Sequence, residues 1–169
     1  FGDGFDPSSN YGPVNNKMQF EKLVDLIEDT KRSGAKILTG GDVPDRKGYY
    51  INPTVVVDID DDARLVKEEQ FGPVLPILKF SDQEDAIRRA NGTRFGLSGS
   101  VWTNDLEKGE EIAARLEVGT ARVNQHLGIS PDIPFGGAKE SGIGREYSIV
   151  GLKGYMEPEV IHINKKAII

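Results

Sequence analysis

Residues 97–124, LSGSVWTNDLEKGEEIAARLEVGTARVN, carry the fold. Residues 97–102 read as a short strand. Thr103 or Asn104 is placed to cap a helix over residues 106–116, and residues 119–124 form a second strand with Val123 at its end. Strand, helix and strand in that order give a parallel pair joined by a crossover helix. The expected class is therefore α/β, with a mostly parallel sheet flanked by helices.

Upstream, Phe20, Leu23, Val24 and Ile27 recur at spacings of three and four, which predicts an amphipathic helix over residues 15–32. Gly34 is suited to end it as a left-handed cap. Strands are expected at residues 35–38, 49–59 and 75–80, the second with Pro53 near an edge. Ser81, with Glu84 three positions on, has capping-box spacing for a helix whose inner face carries Ala86, Ile87 and Ala90. Downstream come a Gly-rich loop over residues 126–145, a short helix over 146–155 and a terminal strand at 160–163.

The composition closes off several functions. The 169 residues hold 21 Lys and Arg against 27 Asp and Glu, a net charge of −6, so nucleic acid is not expected as a partner. No apolar run approaches the roughly 20 residues that span a bilayer, and no signal pattern opens the chain, so a cytoplasmic protein without a membrane partner is expected. The chain contains no cysteine, which excludes disulfides and thiolate chemistry within it. His126 and His162 are too far apart for a ligand pattern, and no metal site is expected. The chain begins at Phe1 without Met and within a turn-rich stretch, as a fragment or a processed chain would.

Two segments invite a functional reading. In EEQFGPV, residues 68–74, a carboxylate stands two positions before an aromatic and a Gly-Pro turn follows. On residue types alone, a solvated Glu pair followed by a core Phe is the better account. In PFGGAKESGIGRE, residues 134–146, four glycines allow close backbone approach, but the spacing is not that of a dinucleotide fingerprint. Unaided, that segment reads as a mobile surface loop. The run Asp58, Asp60, Asp61 and Asp62 reads as a charged turn rather than a calcium loop, and no serine sits in a nucleophile elbow.

Seven colinear segments change these readings: YGPVNN, GAKILTGG, GYYINPTVV, KEEQFGPVLPI, ANGTRFGLSGSVWTNDL, GTARVN and PFGGAKESGIGRE. Together they resemble the aldehyde dehydrogenase superfamily across essentially the whole chain, over roughly the last third of a family subunit. The resemblance implies part of the catalytic domain over residues 1–155 and an oligomerisation element over residues 156–169. It also implies oxidation of an aldehyde to a carboxylic acid with NAD or NADP. In the family a cysteine thiolate attacks the aldehyde, hydride passes to the nicotinamide, and a glutamate-activated water releases the acid. The cysteine and the dinucleotide-binding domain lie upstream of the matched region, so this chain alone is expected to be inactive.

Residue by residue, Glu69 resembles the glutamate that binds the nicotinamide ribose, and Phe71 the aromatic beside the nicotinamide. Glu68 is expected to be structural. Phe135 resembles the aromatic wall of the substrate tunnel, with His126, Leu127 and Ile129 as neighbours. Asn124 resembles a position that supports the active-site loops, and Gly136, Gly137, Gly142 and Gly144 permit tight turns there. Gln70 and Arg122 depart from the family pattern, as does the terminal stretch, which lacks the usual Lys-Thr. The implied partners are a small aldehyde and further copies of the subunit. Two rivals remain: an assembly module derived from the same fold, and a hydrolase using Glu68 or Glu69.

Overall fold

A computed structural model describes residues 1–166. It divides into two compact units, Phe1–Phe80 and Ser81–Ile169. The first contains α1 (Lys17–Arg32), β1 (Lys36–Thr39), β2 (Thr54–Val57), α2 (Arg64–Lys67) and β3 (Val74–Pro76). Asn16 caps α1 by accepting a hydrogen bond from the Gln19 amide, and Gly34 follows the helix with a φ of 82°, as the sequence predicts. The apolar stripe of α1 places Leu23 and Ile27 against Ile51, Val56, Leu65 and Val74. Each side chain so removed from water contributes about 1.5–3 kcal/mol.

The sheet order is β1-β2-β3, antiparallel between the first two strands and parallel between the last two. Two expected strands are shorter than the sequence suggested. Tyr50 and Ile51 are buried in irregular chain rather than in a strand, because burial alone made that run look strand-like. β3 ends at Pro76, with one further bond from the Ile77 amide to the Val56 carbonyl at 2.8 Å, and Phe80 beyond it is exposed.

The second unit contains α3 (Gln83–Asn91), β4 (Phe95–Gly96), β5 (Ser98–Val101), α4 (Leu106–Ala113), β6 (Thr120–Val123), β7 (Ala138–Lys139) and α5 (Ser148–Lys153). β5 and β6 are parallel, with Ser98 opposite Thr120 and Val101 opposite Val123, and α4 is their crossover. The caps are Asp82 and Asp105 rather than Ser81 and Thr103 or Asn104. Each carboxylate accepts the amide three residues on, an ionised acceptor in place of a neutral one. Arg115, just past α4, grips Glu84 of α3 with two hydrogen bonds of 2.7 and 2.6 Å.

β4 pairs antiparallel with β7, Phe95 opposite Lys139. The expected mostly parallel sheet is thus corrected to three short sheets with parallel and antiparallel pairs in equal number among the described strands. Residues 156–165 form neither helix nor strand, and Val160, Ile161 and Ile163 are 73%, 75% and 79% exposed. The expected strand at 160–163 does not form within the chain, since an isolated strand has no neighbour to receive its backbone groups. Residues 167–169 of the expected oligomerisation element lie outside the described residues.

Candidate functional site

The loop over residues 68–74 leaves α2 and enters β3. Glu68 accepts from Arg64 Nε at 2.7 Å, and Arg64 Nη1 also reaches Asp25 at 2.8 Å. The Arg64 guanidinium holds the Glu68 carboxyl below its usual range, with Lys22 adding a smaller effect, and the pairing raises Arg64 in turn. Glu68 is therefore bound up in the structure of the unit, as expected.

The rest of the loop backbone is tied to α1. Lys22 Nζ donates to the Glu69 carbonyl at 2.8 Å, and Gln19 Nε2 donates to the Gln70 carbonyl. Gln70 Nε2 donates across the turn to the Val74 carbonyl at 2.7 Å. A Cβ on Gly72 would stand 2.7 Å from Cδ2 of the fully buried Leu23, so the backbone lies directly on the core. Two side chains are left over. The Glu69 side chain is exposed and has no hydrogen bond or ion pair among the described residues. Phe71 is 74% exposed with a φ of 45°, so it is not the core residue that residue types alone suggested. A bulky residue in the left-handed region is strained, and such strain persists where the surroundings over-determine it.

In the second unit, the ends of β5 and β6 are held by Asn124. Its Oδ1 accepts from the Thr103 amide and its Nδ2 donates to the Thr103 carbonyl, both at 2.8 Å. Its φ of 54° is one that asparagine tolerates better than most residues. Beyond it, Ser100 Oγ lies 3.2 Å from His126 Nδ1 and accepts from Trp102 Nε1 at 3.3 Å. Arg122, 8% exposed, donates from Nη2 to the Gly128 carbonyl at 3.0 Å.

The segment over residues 134–146 is pinned rather than mobile. Phe135 and Glu146 exchange backbone hydrogen bonds of 2.9 and 2.7 Å, and Arg145 Nη1 donates to the Gly137 carbonyl at 2.8 Å. Gly136 has no room for a side chain, because a Cβ there would lie 2.5 Å from the backbone oxygen of Gly144. Phe135 is half-buried.

Glu69 and Phe71 thus share one loop of the first unit. In the second, Asn124 closes the carboxyl end of the β5/β6 pair, whereas Gly136 and Gly137, next to Phe135 in the chain, lie against Gly119 at its amino end. Sequence reasoning missed the clamps supplied by Gln19, Lys22, Gln70, Arg122 and Arg145. Of these, only Arg122 left a signal, a charged residue alternating with strand-formers. Among the described residues, no group of three His, Asp or Glu could hold a metal ion, and no helix is long and apolar enough to cross a membrane.

The sequence profile of the aldehyde dehydrogenase family matches residues 1–161, and the chain belongs to that family. It is 42% identical over 165 residues to a betaine aldehyde dehydrogenase of Rhizobium leguminosarum bv. trifolii, covering 96% of this chain and 34% of the relative. It is 44% identical over 162 residues to aldehyde dehydrogenase 1A1 of Bos taurus, covering 96% and 32%. Among solved structures, the NAD+ complex of a Bacillus cereus aldehyde dehydrogenase superposes with a TM-score of 0.90 at 38% identity, over 95% of this chain and 33% of that one. An aldehyde dehydrogenase C mutant of Pseudomonas syringae, complexed with NAD+ and octanal, gives 0.81 at 36% identity over 86% and 30%. The chain spans about a third of the length of these relatives.

Proposed function

We propose that this chain is the carboxyl-terminal third of an NAD(P)-dependent aldehyde dehydrogenase subunit, which oxidises an aldehyde to a carboxylic acid in the cytoplasm. The observation that carries the reading is the loop over residues 68–74. Its backbone is bound at Glu69, Gln70 and Gly72, yet the Glu69 carboxylate and the Phe71 ring are exposed. A fixed backbone that displays one unpaired acid and one strained aromatic suits recognition.

The residues fit a nicotinamide nucleotide. A carboxylate accepts both hydrogens of a vicinal diol such as a ribose, and an aromatic face packs on a flat ring. Glu69 would hold the nicotinamide ribose, and Phe71 would limit where the ring lies. When bound, NAD or NADP supplies the hydride acceptor. Phe135 would give an apolar wall that keeps water from the aldehyde, with Gly136 and Gly137 permitting the tight backbone beside it and Asn124 supporting the loop that follows β6. The chain holds no cysteine, so the nucleophile is not among these residues and the chain alone should oxidise no aldehyde.

The test uses the full-length subunit. Glu69→Gln keeps the shape but removes the charge and turns one of the two acceptor oxygens into a donor, and it should lower nicotinamide affinity or hydride-transfer rate by about tenfold or more. Unchanged titration and kinetics would sink the assignment. The exposed Val160, Ile161 and Ile163 support a second element of the reading, pairing of that stretch with another copy in a homo-oligomer. An assembly module without catalysis is the alternative, and it predicts that no full-length form turns over aldehyde.

A further inference from the structure

We propose that Arg122 is a positioning residue that fixes the loop after β6 and so sets which aldehydes the site accepts. The inference rests on the dehydrogenase reading above and deepens it. The β5/β6 pair has two unlike faces. On one, a Cβ on Gly109 of α4 would stand 2.8 Å from Val123 Cγ1, and a Cβ on Gly99 would stand 3.1 Å from Leu116 Cδ1, so helix and strands are in close contact there. The opposite face, by strand alternation, carries Ser98, Ser100, Thr120 and Arg122.

Arg122 is more than nine-tenths buried on that polar face, and no carboxylate among the described residues pairs with it. Burying a guanidinium without a counter-charge is unfavourable, so its place needs a compensating contact. That contact is the Gly128 carbonyl, 3.0 Å from Nη2. The loop over residues 125–129 has no regular structure, and the side-chain contact between His126 and Ser100 ties it to β5.

Arg122 thus grips the loop between Leu127 and Ile129, which are 87% and 59% exposed. With Gly128 drawn onto β6, those two apolar side chains are held as a fixed surface on the same segment that leads to Phe135. Without the grip, the surface loses its defined shape while the backbone of β6 remains.

The experiment compares the full-length wild type with Arg122→Met, which keeps length but removes the donors, and Arg122→Lys, which keeps charge and a donor. Hydrogen exchange at residues 125–130 should quicken about tenfold or more in Arg122→Met, as expected for loss of a hydrogen bond from a charged group. The ratio of kcat/KM for octanal to that for acetaldehyde should change at least about fivefold, while the nicotinamide dissociation constant stays within about twofold. Arg122→Lys should recover much of both changes. Unchanged exchange in Arg122→Met overturns the proposal, and so does faster exchange with unchanged discrimination. A wild type inactive on both aldehydes would instead overturn the dehydrogenase reading, with the exchange comparison still deciding whether Arg122 holds the loop.

Discussion

Replacing Gly119 by Ala should unlatch the segment that carries Phe135, Gly136 and Gly137. A Cβ at residue 119 would stand 2.7 Å from the Gly136 carbonyl carbon and 3.1 Å from Gly137 Cα, and closer still to the Gly136 oxygen. Carbon atoms rest at about 3.5–4.0 Å, so the two backbones must separate by about 1 Å. Both sides are main chain, so no side-chain rotation relieves the clash. Overpacking of this kind costs about 1–3 kcal/mol. The displaced segment also loosens the two-residue β4–β7 pair and the Arg145 bond to Gly137, at about 1 kcal/mol for each hydrogen bond lost. A total near 3 kcal/mol lowers the melting temperature of a chain this size by about 6–12 °C. Calorimetry measures that shift, and hydrogen exchange should report faster exchange at residues 134–146. Gly4→Ala, where an added Cβ meets nothing within 4 Å, is the neutral control. A fall of less than about 2 °C with unchanged exchange would refute the close approach.

Thr120→Val should raise stability by about 1 kcal/mol in thermal unfolding, because the buried Thr120 hydroxyl has no hydrogen-bond partner and its removal leaves no donor stranded. Phe71→Gly should not lower the melting temperature, since it relieves a left-handed φ at an exposed side chain, yet it should weaken nicotinamide binding in the full-length subunit by titration. The Glu68 carboxyl is depressed in the folded state, so the stability it lends is fully present above about pH 5 and is lost as pH falls through the folded value. Glu68→Gln should therefore lessen the loss of melting temperature between pH 7 and pH 3, and an undiminished loss would count against the Arg64 pairing.

What could be read in the sequence follows from how far apart the interacting residues lie. Helix α1 and the β5-α4-β6 crossover were legible because their apolar spacing and turn residues are local. The antiparallel β4–β7 pair was not, because Phe95 and Lys139 are joined by contacts that no short-range pattern encodes. The caps shifted by one or two residues where Asp82 and Asp105 competed with neighbouring hydroxyls and amides as acceptors. The terminal stretch has the residues of a strand, but a strand depends on a neighbour that composition does not reveal. At the candidate site, the acid and aromatic of EEQFGPV were identified through resemblance. Their exposure rests on Gln19, Lys22 and Gln70, whose amides and ammonium could have faced solvent equally well on sequence grounds.

The bound loop between α2 and β3 separates two tasks that most residues must share. Gln19, Lys22, Gln70 and Leu23 keep its course, while the tips at Glu69 and Phe71 hold nothing else together. Such tips can be exchanged on a constant handle. Substitution there can retune recognition while leaving folding untouched, whereas an equally modest change at Gln19 would disturb both together.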